Sequence, residues 1–162
     1  MGQMTHYMEL LASNQPWNLL IFMAVPVILA EIIAISELYL LFTRNLSGSV
    51  KKLSRYCGFA AGIYFTGIFA YLFVNAVIPI TSGGQWRTFI DVIAVGFYLL
   101  GVIPLGGITL LEAGVIGRGK DELWKLKTHA TFVALFLIVA HIAMIAGMLS
   151  PSVFSGSSHM QM

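Results

Sequence analysis

The chain has 162 residues, of which 58% are hydrophobic and only 10% are charged, and its mean hydropathy is +0.86. In soluble domains about a quarter of the residues are charged, so this composition excludes an ordinary soluble domain. It also excludes a disordered chain. The formal net charge of +2 gives no strongly basic surface, so we expect no nucleic-acid partner. The single cysteine, Cys57, cannot form an intramolecular disulfide.

The first predicted element is a short amphipathic helix within residues 1–15. Four apolar residues recur there at helical spacing: Met4, Tyr7, Met8 and Leu11. This pattern is typical of a helix that lies on a membrane interface. Pro16 suits the first turn of the next helix, and Trp17 suits the headgroup region of a bilayer.

Four long apolar stretches follow, and each exceeds the ~20 residues that a helix needs to cross the hydrocarbon core. They run from Trp17 to Thr43, from Tyr56 to Ile80, from Thr88 to Ile116 and from Thr128 to Leu149. The sequence therefore predicts an all-α fold, a polytopic four-helix membrane bundle over residues 16–150. We interpret residues 151–162 as an external tail.

The distribution of lysine and arginine predicts the orientation, because positive loops stay on the cytoplasmic side. Eight of the nine positive residues lie near the first and third loops: Arg44, Lys51, Lys52, Arg55, Arg118, Lys120, Lys125 and Lys127. We therefore expect both chain termini and the loop with Arg87 to lie outside.

Small residues and prolines predict how the helices pack. Gly58 and Gly62, and likewise Ala143 and Gly147, lie four apart and favour close contact between helices of the bundle. Pro104 lies among several glycines and predicts a kink or an unwound turn in the third stretch.

Ionisable residues inside the apolar stretches are the candidate functional residues, because such residues usually face the bundle interior. Depth counted inward at ~1.5 Å per residue divides these polar residues into two groups. The inner group consists of Glu37, Glu112 and His129. The outer group consists of Glu31, Asn75, Asp91 and His141. Together they predict a polar ladder across the membrane, although Asp91 and Arg87, four apart, could instead pair with each other.

Carboxylates and imidazoles suit Fe, Mn or Zn, and they also suit proton transfer. The leading hypothesis is a protein that binds and moves a divalent metal ion or a proton. Glu31 and His141 would form its central site, and Glu37, Glu112 and His129 its inner exit. His6, Asn75 and Asp91 are secondary candidates.

Haem b is the main alternative, with His129 and His141 as axial ligands in an electron-transfer protein or a cytochrome-associated subunit. The two histidines are twelve residues apart on one predicted helix, and their side chains are about 120° apart in azimuth, so ligation would need a second chain or His6. Copper binding by external methionines and histidines is another hypothesis: Met1, Met4, His6, Met8, His159, Met160 and Met162. A non-catalytic assembly or anchor subunit is the third class.

Three parts of the sequence resemble a known protein family. They are the run from Thr5 to Leu11, the run from Asn14 to Asn18, and the span with His129 and His141 that ends in Ala146-Gly147-Met148. These residues resemble a family of small uncharacterised bacterial membrane proteins that are labelled permeases. The resemblance implies a bacterial inner membrane and transport, and it assigns no functional residue.

The sequence shows no nucleophile with a paired base, no phosphate-binding glycine loop and no protease motif, so we expect no hydrolytic enzyme. The expected partners are the lipid bilayer and either further copies of the chain or a larger membrane complex.

Overall fold

The computed structural model describes residues 4–149, and every regular element in this range is a helix. The five helices are α1 (His6–Ala12), α2 (Trp17–Thr43), α3 (Ser49–Ser82), α4 (Phe89–Glu112) and α5 (Glu122–Met148). Helices α2 to α5 are long and apolar enough to cross a membrane, so the predicted all-α fold with four spanning helices is confirmed. Met1 and the predicted tail at 151–162, with His159, Met160 and Met162, lie outside the described residues.

The four long helices form an antiparallel bundle in which α2 and α4 each pack against both α3 and α5. The loops at 44–48 and 113–121 lie at one end of the bundle, which we call the basic end because most lysines and arginines lie there. The loop at 83–88 and helix α1 lie at the other end, the α1 end. Helix α1 packs against α4 and α5.

The helices extend beyond the apolar stretches where charged residues continue the same helix. Helix α3 begins at Ser49 rather than at Tyr56, and α5 begins at Glu122 rather than at Thr128. Hydropathy detects only the part of a helix that lies in hydrocarbon, so the polar first turns were missed. The bounds of α2 match the prediction.

Three prolines occur where the helices depart from regular α geometry. A π-helical turn precedes Pro26 in α2, and another precedes Pro79 in α3. Such turns accommodate the proline ring, which lacks an N–H group and crowds the preceding turn. Helix α4 is interrupted at Gly101, three residues before Pro104, which agrees with the predicted irregularity.

Small residues allow the helices to approach closely. A Cβ atom on Gly62 would lie 2.5 Å from the Leu105 carbonyl oxygen and 1.8 Å from Thr109 Oγ1, so only glycine fits between α3 and α4. At the α1 end, a Cβ atom on Gly147 would lie 2.6 Å from the Tyr7 ring. Gly62 and Gly147 thus pack inside this one chain.

Aromatic side chains fill the middle of the bundle. The Phe65 ring lies 5.3 Å from that of Tyr98 and 5.5 Å from that of Phe136, and all three are buried. Leu105 and Ile33 are fully buried in the same core. This apolar layer separates the polar side chains at the two ends.

Candidate functional site

The candidate site lies at the basic end, where each of the four long helices contributes one polar side chain. These are Glu37 from α2, Ser54 from α3, Glu112 from α4 and His129 from α5, and we call them the basic-end cluster. Glu112 is the last residue of α4, and the other three lie within about two helical turns of a helix end. The antiparallel packing therefore gathers side chains that are distant in sequence.

The His129 imidazole lies between two carboxylates and is only 2% exposed. Its Nδ1 atom is 2.9 Å from Glu37 Oε1, and its Nε2 atom is 3.6 Å from Glu112 Oε1. The Ser54 hydroxyl donates a hydrogen bond to Glu37 Oε1. Glu37 is 3% exposed, so two ionisable groups are in contact away from water.

Arg55 and Gly58 complete the surroundings of the cluster from α3. Arg55 Nε lies 3.4 Å from Glu112 Oε2, which places a positive charge beside the more exposed of the two carboxylates. A Cβ atom on Gly58 would lie 2.9 Å from His129 Nε2. Gly58, predicted as a packing residue, therefore also makes room for the imidazole.

A polar cavity of about 380 Å³ connects the cluster with the charged rim of the basic end. Lys51 and Lys125 lie on this rim and contact Glu122 at 2.8 and 3.2 Å. Among the described residues, Glu37 Oε2 and both His129 ring nitrogens lack a partner aligned for a hydrogen bond, despite the short distances around His129. Buried polar atoms without aligned partners are uncommon and often mark functional sites.

The arrangement suits a proton better than a metal ion. The two nitrogens of an imidazole point in different directions, and each faces a different carboxylate, so one metal ion cannot bind all three side chains. Within residues 4–149, no group of three or more His, Cys, Asp or Glu side chains is arranged to hold a metal ion. A proton, in contrast, can occupy any of the three side chains.

A second polar cluster fastens α1 to the α1 end of the bundle. The backbone N–H of His6 donates to Asp91 Oδ1 at 2.7 Å, and the His6 ring contacts the other oxygen of this fully buried carboxylate. Arg87 contacts Glu9 at 2.5 Å and also donates to the Met4 carbonyl. The alternative in which the Arg87 and Asp91 side chains pair with each other is therefore wrong, because α1 supplies a separate partner for each; only the backbone N–H of Arg87 donates to Asp91 Oδ2, at 3.5 Å.

The remaining candidates do not join either cluster. Asn75 is exposed and donates to the Tyr71 carbonyl at 2.8 Å, although it lines a cavity of about 370 Å³ together with His6. Glu31 and His141 are both exposed on the outside of the bundle, and no hydrogen bond or ion pair within residues 4–149 joins them. The predicted polar ladder is therefore absent from the described part of this single chain, and an apolar layer occupies its middle.

Ser54, Arg55 and Glu9 were missed as members of polar clusters. Ser54 lies four residues before Gly58 on one face of α3, and this spacing could have indicated that Ser54 faces the bundle interior. Arg55 was used only to predict orientation. Glu9 lies off the apolar stripe of α1, so its position in the sequence does not indicate that it contacts Arg87.

The family comparison covers nearly the whole chain. A model of the family of unknown function DUF6803 matches residues 2–162, and the chain belongs to this family. No curated protein and no solved structure matches the chain significantly. The match agrees with the resemblance to an uncharacterised family and adds neither a substrate nor the name permease.

Proposed function

We propose that this DUF6803 member is an integral membrane protein that binds a proton at the basic-end cluster and moves it across the membrane. The observation that carries the proposal is the buried His129 imidazole between Glu37 and Glu112 at the bottom of a polar cavity. Carboxylates and imidazoles in membrane helices commonly form proton relays. The proposal keeps the cation hypothesis and moves its central site from Glu31 and His141 to the basic-end cluster.

Charge supports one orientation in the membrane. Basic loops are retained in the cytoplasm, so we assign the basic end to the cytoplasmic side and the α1 end to the outside. A bacterial inner membrane is the location that the resemblance implies. The cavity then opens toward the cytoplasm. The aromatic layer of Phe65, Tyr98 and Phe136 closes the path toward the outside, as expected for one of two alternating states.

The geometry supports a proton more than the alternatives from the sequence. A divalent metal ion would reach only some of the three side chains, because the ring nitrogens of His129 diverge. Haem ligation by His129 would need an open position at Nε2, but Glu112 Oε1 lies 3.6 Å from this atom and α3 passes so close at Gly58 that a Cβ atom there would lie 2.9 Å from it. His141 lies on the lipid-facing surface and is not part of the cavity.

Proton flux into proteoliposomes tests this function. The purified protein is reconstituted with a trapped pH-sensitive dye, and a potassium gradient with valinomycin sets the membrane potential. We expect flux with the wild type and loss of most of it in Glu37→Gln and His129→Gln, because neither amide can accept and release the proton. Asp121→Asn is the matched control, since this exposed carboxylate lies at the same end and outside the cavity.

Two results would contradict the proposal. One is a wild-type flux equal to that of empty liposomes. The other is a flux that both cluster variants retain in full. A flux of Zn²⁺ or Mn²⁺ without proton flux, lost in the same variants, would replace the proton by a metal ion.

A further inference from the structure

A second cavity lies inside the bundle, and all five helices line it, mainly α2 and α5. It has a volume of about 140 Å³ and shares no lining residue with the polar cavity of the basic end. Its wall is apolar except for two hydroxyl groups and one imidazole, from Tyr7, Tyr98 and His141. A protein cavity of about 150 Å³ can hold a benzene molecule, so this one has room for one aromatic ring.

The wall of this cavity is rich in aromatic rings. Five phenylalanine and tyrosine rings line it: Tyr7, Phe22, Phe65, Tyr98 and Phe136. The rings of Tyr7 and Tyr98 are 5.2 Å apart, and Met23 and Met144 add flexible thioether side chains. Aromatic rings and thioethers make favourable contacts with another flat ring. The wall therefore favours a ring over a flexible hydrocarbon chain.

The Tyr7 hydroxyl is a buried polar group without a partner in the chain. Tyr98 lines the same cavity, but its hydroxyl donates to the Phe22 carbonyl, to which Pro26 has no N–H to offer. The Tyr7 side chain is only 4% exposed, and no hydrogen bond within residues 4–149 involves its hydroxyl group. Since an unpaired buried hydroxyl is costly, an oxygen atom of a ligand in the cavity would stabilise it.

His141 lies at the opening of the cavity. His141 and Ile28 both line the cavity and are both exposed on the outside of the bundle. The cavity therefore opens between α5 and α2, on a surface that faces lipid when the bundle spans a membrane. His141 Nδ1 donates to the Leu137 carbonyl at 2.6 Å, so Nε2 of the neutral ring is an acceptor.

These two polar groups require different partners on a ligand. His141 Nε2 needs a donor, whereas the Tyr7 hydroxyl can donate to an oxygen atom. A quinol meets both needs, because it is a flat aromatic ring with two hydroxyl groups. Lipid-soluble quinols also carry a hydrocarbon tail, which suits an opening toward lipid. The acyl chain of a phospholipid, in contrast, offers no hydrogen bond to either side chain.

We propose that this cavity binds the ring of a lipid-soluble quinol that has one aromatic ring. One quinol hydroxyl donates to His141 Nε2, and the Tyr7 hydroxyl donates to the other quinol oxygen. The tail leaves the bundle past Ile28. This site goes beyond the proposed proton function and does not depend on it, because the two cavities have no residue in common.

Binding is measured with tritium-labelled decylhydroquinone under nitrogen, on the full chain in lipid nanodiscs, with empty nanodiscs of the same lipid as background. We expect saturable binding to the wild type above this background. Decylbenzene has the same ring and tail without oxygen, so we expect it to bind about tenfold more weakly. The oxidised form, decylbenzoquinone, has no hydroxyl group to donate to His141, so its affinity is expected to lie between the two.

Two variants each remove one of the proposed hydrogen bonds. Tyr7→Phe and His141→Phe are expected to raise the dissociation constant of decylhydroquinone by about fivefold to tenfold and to leave that of decylbenzene unchanged. His141→Phe is not expected to weaken the binding of decylbenzoquinone. Tyr56→Phe and Thr131→Val are the matched controls, because each removes an exposed hydroxyl group outside the cavity.

The proposal is overturned if the wild type binds no more decylhydroquinone than empty nanodiscs do. It is also overturned if decylbenzene binds as tightly, which would make lipid hydrocarbon the occupant, or if both variants bind the quinol like the wild type. Circular dichroism and elution volume in detergent show that each variant is folded. Quinol binding is measured without a pH gradient and proton flux without a quinol, so the failure of one proposal is distinguishable from the failure of the other.

Discussion

At the scale of single residues, the surroundings of His129 decide what the basic end can do. An imidazole between two carboxylates offers a proton three side chains that can hold it. Ser54 and Gly58 fix this geometry, one by a hydrogen bond to Glu37 and the other by the absence of a side chain. The candidate residues could be predicted from their type and depth. Their partners could not, since partners depend on which helix faces which.

Tyr7 provides a residue-scale prediction outside the spans. Burial raises the pKa of Tyr7 from its ordinary value of 10.0 to about 12. The folded chain therefore keeps the phenol proton at a pH where the unfolded chain releases it, and stability falls as the pH rises from about 10 to about 12. Two pKa units correspond to about 2–3 kcal/mol.

The measurement is the thermal unfolding of detergent-solubilised protein at several values of pH in this range. Tyr7→Phe cannot ionise, so we expect its stability to fall less than that of the wild type above about pH 10. Parallel curves for the two proteins would show that Tyr7 keeps its ordinary pKa. They would also argue against the buried position of α1 on the bundle.

At the scale of helices, the contact between α3 and α4 rests on Gly62. A methyl group at this position would overlap the Leu105 carbonyl group and Thr109. We expect Gly62→Ala to lower the free energy of unfolding by about 1–3 kcal/mol, because the two backbones would have to separate. Thermal unfolding in detergent measures this change.

Gly67→Ala is the matched control on the same helix. No atom lies within 4 Å of a Cβ atom placed on Gly67. Alanine favours a helix over glycine by about 0.5–1 kcal/mol, so we expect unchanged or slightly higher stability. Equal effects of the two substitutions would mean that α3 and α4 do not touch at Gly62.

The helices themselves were largely predictable, because length and hydropathy determine which segments can cross a membrane. Trp17–Thr43 was predicted to the residue, and the irregularity of α4 near Pro104 followed from the chemistry of proline. The polar first turns of α3 and α5 were not predicted. In those turns lysine, arginine and glutamate continue a helix that hydropathy cannot follow, and that is also where Ser54 and Arg55 lie.

At the scale of the whole molecule, the polar residues divide into two ends and an outer face. The basic-end cluster lines a cavity, the second polar cluster at Asp91 and Arg87 fastens α1, and Glu31 and His141 lie exposed on the outside of the bundle. Depth counted along the sequence predicts a single polar ladder, because depth does not say in which direction around the helix a side chain points. Glu31 and His141 lie within the spanning helices but point away from the bundle interior, and only the packing of the helices determines that direction.

The most direct test of the central claim is nitrogen-15 NMR of histidine-labelled protein in lipid bilayers. The His129 signals are assigned by their loss in His129→Gln. We expect the Nδ1 signal to shift in Glu37→Gln and the Nε2 signal to shift in Glu112→Gln, because each ring nitrogen faces one of these carboxylates. His129 signals that are unchanged in both variants would contradict a proton site at the basic end.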